Sequence, residues 1–322
     1  MKGRRLAWEL LGAAVGAGLA SGREIAAFFT ESGRWSWAGI VLATALLAVL
    51  LPSGLPDGWR GRWPDLLWRL QLTLLLIVTG GAMLAGAGEV AALILPVHGA
   101  YWLGLCGTLG LGWFLAHCTR SGLAWVSRLL LAGMCVLLAA GSFLPPMRAV
   151  HLTPRAPLEA LLRGLAYGGF NAALMCPVMA ASGPEESSSR SARWAACLGF
   201  GLLLAAGNAV LLRHGALLTE PLPFVKLASG LGGAGYLLCA ACLYLAVLST
   251  LTACLRALGR GLLPVGGLLL AAMLGFSGVI GAAYPVLGAL CTAVLAIMRF
   301  GSATSNFRNS ARKAFHSHRD ML

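Results

Sequence analysis

About ten runs of roughly twenty mainly apolar residues follow one another along this chain, each long enough to cross the ~30 Å hydrocarbon core of a bilayer as a helix. Their limits fall near 6–30, 34–52, 65–93, 98–117, 122–144, 157–182, 192–213, 222–256, 262–281 and 284–300. Backbone groups in hydrocarbon must be bonded within the chain, and runs of this length satisfy that as helices. Composition agrees: 58% of the 322 residues are hydrophobic and 11% are charged, against about a quarter charged in ordinary soluble domains. The expectation is an all-α integral membrane protein. The first run opens with MKGRR and could pass for a signal peptide, but glycines interrupt its apolar core and no convincing cleavage site follows, so it reads as a retained span.

A formal net charge of +13 would suit a nucleic-acid partner, and the placement of the basic residues argues against one. With the N-terminus inside, 17 of the 24 Lys and Arg residues fall on the cytoplasmic side, among them Lys2, Arg60, Arg120, Arg190, Arg260 and Arg312. The positive-inside rule accounts for that bias, and an even number of spans returns the C-terminus to the cytoplasm. The partner implied is the lipid bilayer. The basic tail, 301–322, reads as a solvated end near anionic lipid. Nine cysteines all lie in or at the ends of apolar runs, where cysteine behaves as a small hydrophobe. Cys239 and Cys242 form a CxxC with no second pair and no histidine at ligand spacing, so no metal centre is expected. No Ser/His/Asp or paired-carboxylate grouping and no phosphate-binding loop appears, and the chain is expected neither to be an enzyme nor to hold a cofactor.

Two runs are interrupted. "GAGLASG", residues 16–22, places three glycines and a serine inside the first, followed by Arg23 and Glu24; "LAYGGFNAAL", 165–174, places Tyr167, Gly168, Gly169 and Asn171 inside the sixth. At about 1.5 Å per residue, Gly16 lies about 15 Å beyond Leu6 and Gly168 about 15 Å beyond Leu158, so both interruptions reach the middle of the hydrocarbon layer. Each opens a set of five spans. The expected architecture is therefore a five-plus-five inverted repeat, 1–150 and 151–300, with helices one and six discontinuous. Unwinding would free amides that favour an anion and carbonyls that favour a small cation. On this reading Gly16, Ala17, Gly18, Ala20, Ser21, Gly22, Tyr167, Gly168, Gly169 and Asn171 line a site for a small solute. The alternative is that the glycines only permit close helix packing.

"GAGLASGREIAAFFTESG" resembles the first-helix signature of the YkvI family of bacterial membrane proteins, with Leu19 where phenylalanine is usual and Arg23 where glutamine is usual. The resemblance, which runs along nearly the whole chain, implies a distant branch of the amino acid, polyamine and organocation superfamily with the leucine-transporter fold. It further implies a bacterial plasma membrane and alternating-access transport of an amino acid or related amine or carboxylate, coupled to Na⁺ or H⁺. In sodium-coupled relatives a cation lies between carbonyls of the first break and hydroxyls of the eighth helix, which points here to Gly16, Leu19, Ser249, Thr250 and Thr252. The other use of those hydroxyls is to bond their own helix. Arg23, Glu24 and Glu89 are expected near one vestibule, either paired with one another or, for the two carboxylates, relaying protons. A sensor that keeps the fold without transport is the rival function.

Overall fold

The computed structural model describes residues 2–51, 62–117, 123–147, 155–181, 189–259 and 261–299; the expected tail, 301–322, lies outside them. The described residues are helical almost throughout. In order come α1 (Lys2–Ala14), α2 (Ala17–Ser21), α3 (Arg23–Phe28), a tight 3₁₀ stretch (Thr30–Trp35), α4 (Ser36–Leu50), α5 (Arg62–Ile94), α6 (Ala100–His117), α7 (Leu123–Phe143), α8 (Pro157–Ala181) and α9 (Arg190–Arg213). A short α10 (Pro223–Ser229) then leads into α11 (Gly233–Leu258) and α12 (Leu262–Ala272), and α13 (Phe276–Arg299) closes the described chain. Among the described residues, five helices are long and apolar enough to cross a membrane by length and composition: Thr30–Leu50, Leu66–Ile94, Arg190–Arg213, Gly233–Leu258 and Phe276–Arg299. Large apolar side chains in mid-helix point outward, including Leu202 (71% exposed) on α9, Val41 (69%) on α4 and Leu238 (67%) on α11. Lipid is the solvent that makes such a surface favourable.

The helix limits agree with the first eight expected runs to within a few residues. The eighth arrives in two pieces because Gly232, at φ 88°, separates α10 from α11. The ninth ends early: Gly275 takes φ 73°, α12 stops at Ala272, and the last helix starts at Phe276 rather than near 284.

The sixth span differs from expectation in kind. α8 is continuous through Gly168, Gly169 and Asn171, so the second break is not there. The glycines of this helix meet neighbouring helices. A Cβ at Gly164 would lie 2.5 Å from Gly39 O, and one at Gly168 would lie 2.7 Å from Ala43 O. Gly164 and Gly168 on α8 thus face Gly39 and Ala43 on α4, four residues apart on each helix, and the two helices run parallel in near-backbone contact. This is the small-xxx-small packing by which membrane helices approach closely. Gly169 abuts Thr292 of α13, whose hydroxyl lies 3.0 Å from Leu165 O and 2.8 Å from Gly288 O. Asn171, buried, donates from Nδ2 to Tyr167 O one turn back (3.0 Å).

The first apolar run is divided at Gly16 and Gly22, and α3 runs antiparallel to α8. Glu24 meets Tyr167, Ala27 meets Arg163, and Glu31 meets Arg155, one number rising as the other falls.

Candidate functional site

The first span is broken twice. Val15 N–H makes the last bond of the first piece, to Leu11 O (2.8 Å), and Gly16 is extended at φ −79° and ψ 179°. α2 lasts five residues and ends at Gly22, which takes φ 83°. At that left-handed angle a side chain is strained, and the ring of Phe224 from α10 would stand 3.0 Å from any Cβ there. The peptide groups freed at Gly22 are met inside the protein. Ser21 Oγ donates to Gly18 O (2.8 Å) and accepts from Arg23 N–H (3.2 Å), Gly22 N–H donates to Leu19 O (3.0 Å), and Ala26 N–H donates to Gly22 O (3.0 Å). Gly16 O accepts from Ala20 N–H (3.0 Å).

Glu24, in the first turn of α3, is 4% exposed and folds back along the span. Its Oε2 accepts from the hydroxyl of Tyr167 (2.8 Å). Its carboxyl fills the space beside Gly18, where a Cβ would come within 2.7 Å of Glu24 Cγ and nearer still to the carboxyl itself. Gly18 is therefore a seat for a side chain of its own span. The Tyr167 ring is packed by Phe28 (centroids 4.8 Å), Phe29 (5.1 Å, edge-on) and Phe200 (6.0 Å, stacked), an arrangement that fixes the direction of its hydroxyl.

Of the two expected uses of Arg23, Glu24 and Glu89, mutual pairing is not seen among the described residues. Arg23 turns away and donates from Nη1 to Leu218 O (2.8 Å), while Glu89, half-buried in α5, stands beside Tyr101. Among the described residues neither Arg23 nor Glu89 is paired with Glu24. The physical reason is geometric: consecutive helix residues point about 100° apart, so Arg23 and Glu24 cannot share a face.

Of the hydroxyls on α11, Ser249 donates to Ala246 O (2.9 Å) and Thr252 to Leu248 O (2.7 Å), each within its own helix. Thr250 makes no such bond among the described residues, and its Oγ1 lies 3.9 Å from where a Cβ on Gly16 would stand. Thr250 and Gly16 thus meet at the first break.

Three features escape a reading of the sequence. Tyr284 of α13 is fully buried, beside the Thr79 hydroxyl of α5 and within electrostatic reach of the Glu24 carboxyl; a lone tyrosine after the widened helical stretch "VIGAA" is the available signal. Arg155 pairs with Glu31 and Glu159, and both Arg155 and Arg163 donate to Ala27 O, clamping the end of α3. Burial pulls the Arg155 guanidinium below its ordinary value, while the Glu31 carboxylate opposes the shift. His214, fully buried, accepts from Met147 N–H at Nδ1 (3.4 Å) and lies 3.1 Å from Gly141 O through Nε2, tying the end of α9 to that of α7.

The fold and this site define an all-helical, multi-pass membrane protein whose first span is interrupted twice around a buried carboxyl. Among solved structures, the chain is similar to a glutamate-to-alanine mutant of the manganese transporter of Eremococcus coleocola, with a TM-score of 0.55 and 13% identity over 98% of this chain and 74% of that one. The same transporter in complex with an aromatic bis-isothiourea substituted compound gives 0.52 and 13% over the same shares. Mhp1 in its inward-facing conformation gives 0.53 and 18%, covering 91% of this chain and 75% of that one. These neighbours have the leucine-transporter fold, and at such identities they establish the fold alone. No protein-family model matches the chain, and no curated protein matches it.

Proposed function

We propose that this chain is a secondary transporter that carries a small amine- or carboxylate-bearing solute across a bacterial plasma membrane by alternating access. The observation that carries the reading is the doubly broken first span, which sets Gly16 against the hydroxyl of Thr250 and Glu24 against Tyr167. Transporters with this fold are its structural neighbours. Both termini lie in the cytoplasm, and residues 1–150 and 151–300 form two inverted halves of five spans each; the antiparallel pairing of α3 with α8 supports that arrangement. The resemblance to the YkvI family rests on residues 16–33 of the first span and its loop and on the spacing of the later segments. A coupling ion, Na⁺ or H⁺, accompanies the solute. Manganese is named for one neighbour and is said of that protein alone.

Purified protein screened by thermal shift against amino acids and amines, with and without Na⁺, identifies the solute. Sealed proteoliposomes then test transport. Saturable accumulation of that solute against its gradient is the expected result, and binding without accumulation would make the chain a sensor that keeps the fold.

A further inference from the structure

Four of the seven buried side-chain N and O atoms that lack a hydrogen-bond partner among the described residues sit on just two helices, α5 and α13: Gln71 Nε2 and Oε1, Thr79 Oγ1 and Tyr284 Oη. Buried polar groups in native structures are nearly always satisfied. These four are also ordered in space. Tyr284 (0% exposed) and Thr79 (3%) face each other as a weak hydroxyl pair, and Gln71 faces the thiol of Cys291, both short of full hydrogen-bond geometry. Gln71 precedes Thr79 by about 12 Å of helix rise, and Cys291 follows Tyr284 by about 10 Å. The two pairs therefore mark two levels of one seam between antiparallel helices.

At its Tyr284 end the seam comes within electrostatic reach of Glu24. A carboxyl buried inside a membrane protein is expensive to leave charged unless a cation or several donors meet it. Glu24 has one neutral donor, Tyr167, and the adjacent cation, Arg23, is bound to Leu218 O instead. Tyr167 on α8 and, within electrostatic reach, Tyr284 on α13 are the titratable groups around it. Its other flank lies against Gly18.

We propose that Glu24 is a proton-binding site and that its proton exchanges with bulk water through the polar seam formed by Tyr284, Thr79 and Gln71 between α5 and α13. When the site empties, the carboxyl O–H bond breaks and the proton passes to water that enters the seam, where the four orphan atoms supply its hydrogen-bond partners. The carboxylate left behind keeps the Tyr167 hydrogen bond. That this proton is the coupling ion rests on the transport reading; the occupancy of Glu24 and the route do not.

Infrared spectroscopy of the full-length protein in lipid nanodiscs tests both parts without a solute. The parent is expected to show the carbonyl band of a neutral carboxyl at pH 7, and Glu24→Gln to lose it. Tyr167→Phe, which removes the hydrogen bond to Oε2, is expected to move that band to higher frequency, a result independent of whether the glutamine variant folds. On transfer to D₂O, Tyr284→Phe and Thr79→Val are expected to slow the isotope shift of the band at least tenfold, whereas Thr73→Val, on the exposed side of α5, leaves it unchanged. A parent spectrum without a band assignable to Glu24 overturns the proton site and makes Glu24 a charged cation ligand. Equal exchange rates in parent and seam variants overturn the route. Should the band behave as expected while solute accumulation fails in vesicles, the transport reading falls and the proton site stands.

Discussion

Replacing Gly164 with alanine tests whether the glycines of α8 are there for packing. The new Cβ would stand 2.5 Å from Gly39 O, 3.0 Å from Gly39 Cα and 3.1 Å from Gly39 C, all backbone atoms of α4. No rotamer change can relieve that contact, so the two helices must separate by roughly half an ångström along their shared face, at the overpacking cost of about 1–3 kcal/mol. Alanine returns about 0.8–1 kcal/mol of helix propensity, which makes the net loss about 0–2 kcal/mol. A second variant isolates the packing part. Gly107, on α6, has open space within 4 Å of the position a methyl group would take, so Gly107→Ala collects the propensity gain without the clash. The difference between the variants is then the packing cost itself, about 1–3 kcal/mol, equivalent to several degrees at roughly 2–4 °C per kcal/mol. Thermal unfolding in one detergent, read by intrinsic fluorescence, supplies the comparison. An equal midpoint for the two variants, or a higher one for Gly164→Ala, would refute the close packing of α8 on α4.

Gly22→Ala combines a positive φ with the Phe224 ring at 3.0 Å, and is expected to lower stability by about 1–2 kcal/mol in the same assay. His214→Ala leaves Gly141 O and Met147 N–H without their partner, a loss of about 1–3 kcal/mol that chemical unfolding should register. Thr250→Val removes the hydroxyl that faces Gly16, so any Na⁺ dependence of solute binding should weaken about tenfold, or about 1.4 kcal/mol. Ser249→Ala and Thr252→Val should leave it intact because both hydroxyls are bonded within α11; an equal effect from all three would remove the cation role from Thr250.

Span limits are legible in the sequence because they depend on local properties, namely the length of each apolar run and the glycines that stop it. The meaning of an internal glycine is a different matter. "GAGLASG" and "AYGGFN" look alike in composition, yet the first is broken and the second is continuous. What separates them is the neighbour across the interface: Ala43 O for Gly168, the folded-back Glu24 carboxyl for Gly18, the Phe224 ring for Gly22. Of these only Glu24 is close to its glycine along the chain, and a helical wheel would still not bring the two together, because Gly22 rotates α3 relative to α2. Tyr284 and Thr79 are hidden for the same reason, since a single polar residue in an apolar run acquires significance only when another helix brings a carboxyl beside it. The approach of Thr250 to Gly16 follows from a family resemblance, and periodicity alone would not choose it over Ser249.

The same geometry constrains how the first span can move. α3 is six residues long, starts at the left-handed Gly22 and is followed by a 3₁₀ stretch in which Gly33 again takes a positive φ of 57°. It is therefore a short rigid piece between two glycines that can absorb large dihedral changes. Its start carries Glu24, held by Tyr167; its end carries Ala27 O, held by Arg155 and Arg163. All three holding side chains belong to α8 or to the two residues that precede it. Because α8 is continuous and locked to α4 through Gly164 and Gly168, it offers α3 a fixed wall. Any rotation of α3 about Gly22 away from that wall must break the carboxyl bond and the arginine bonds together, which couples the state of Glu24 to the opening of that end of the first span. A continuous sixth helix is thus compatible with a moving first one: the rigid element supplies the reference against which the broken one can swing.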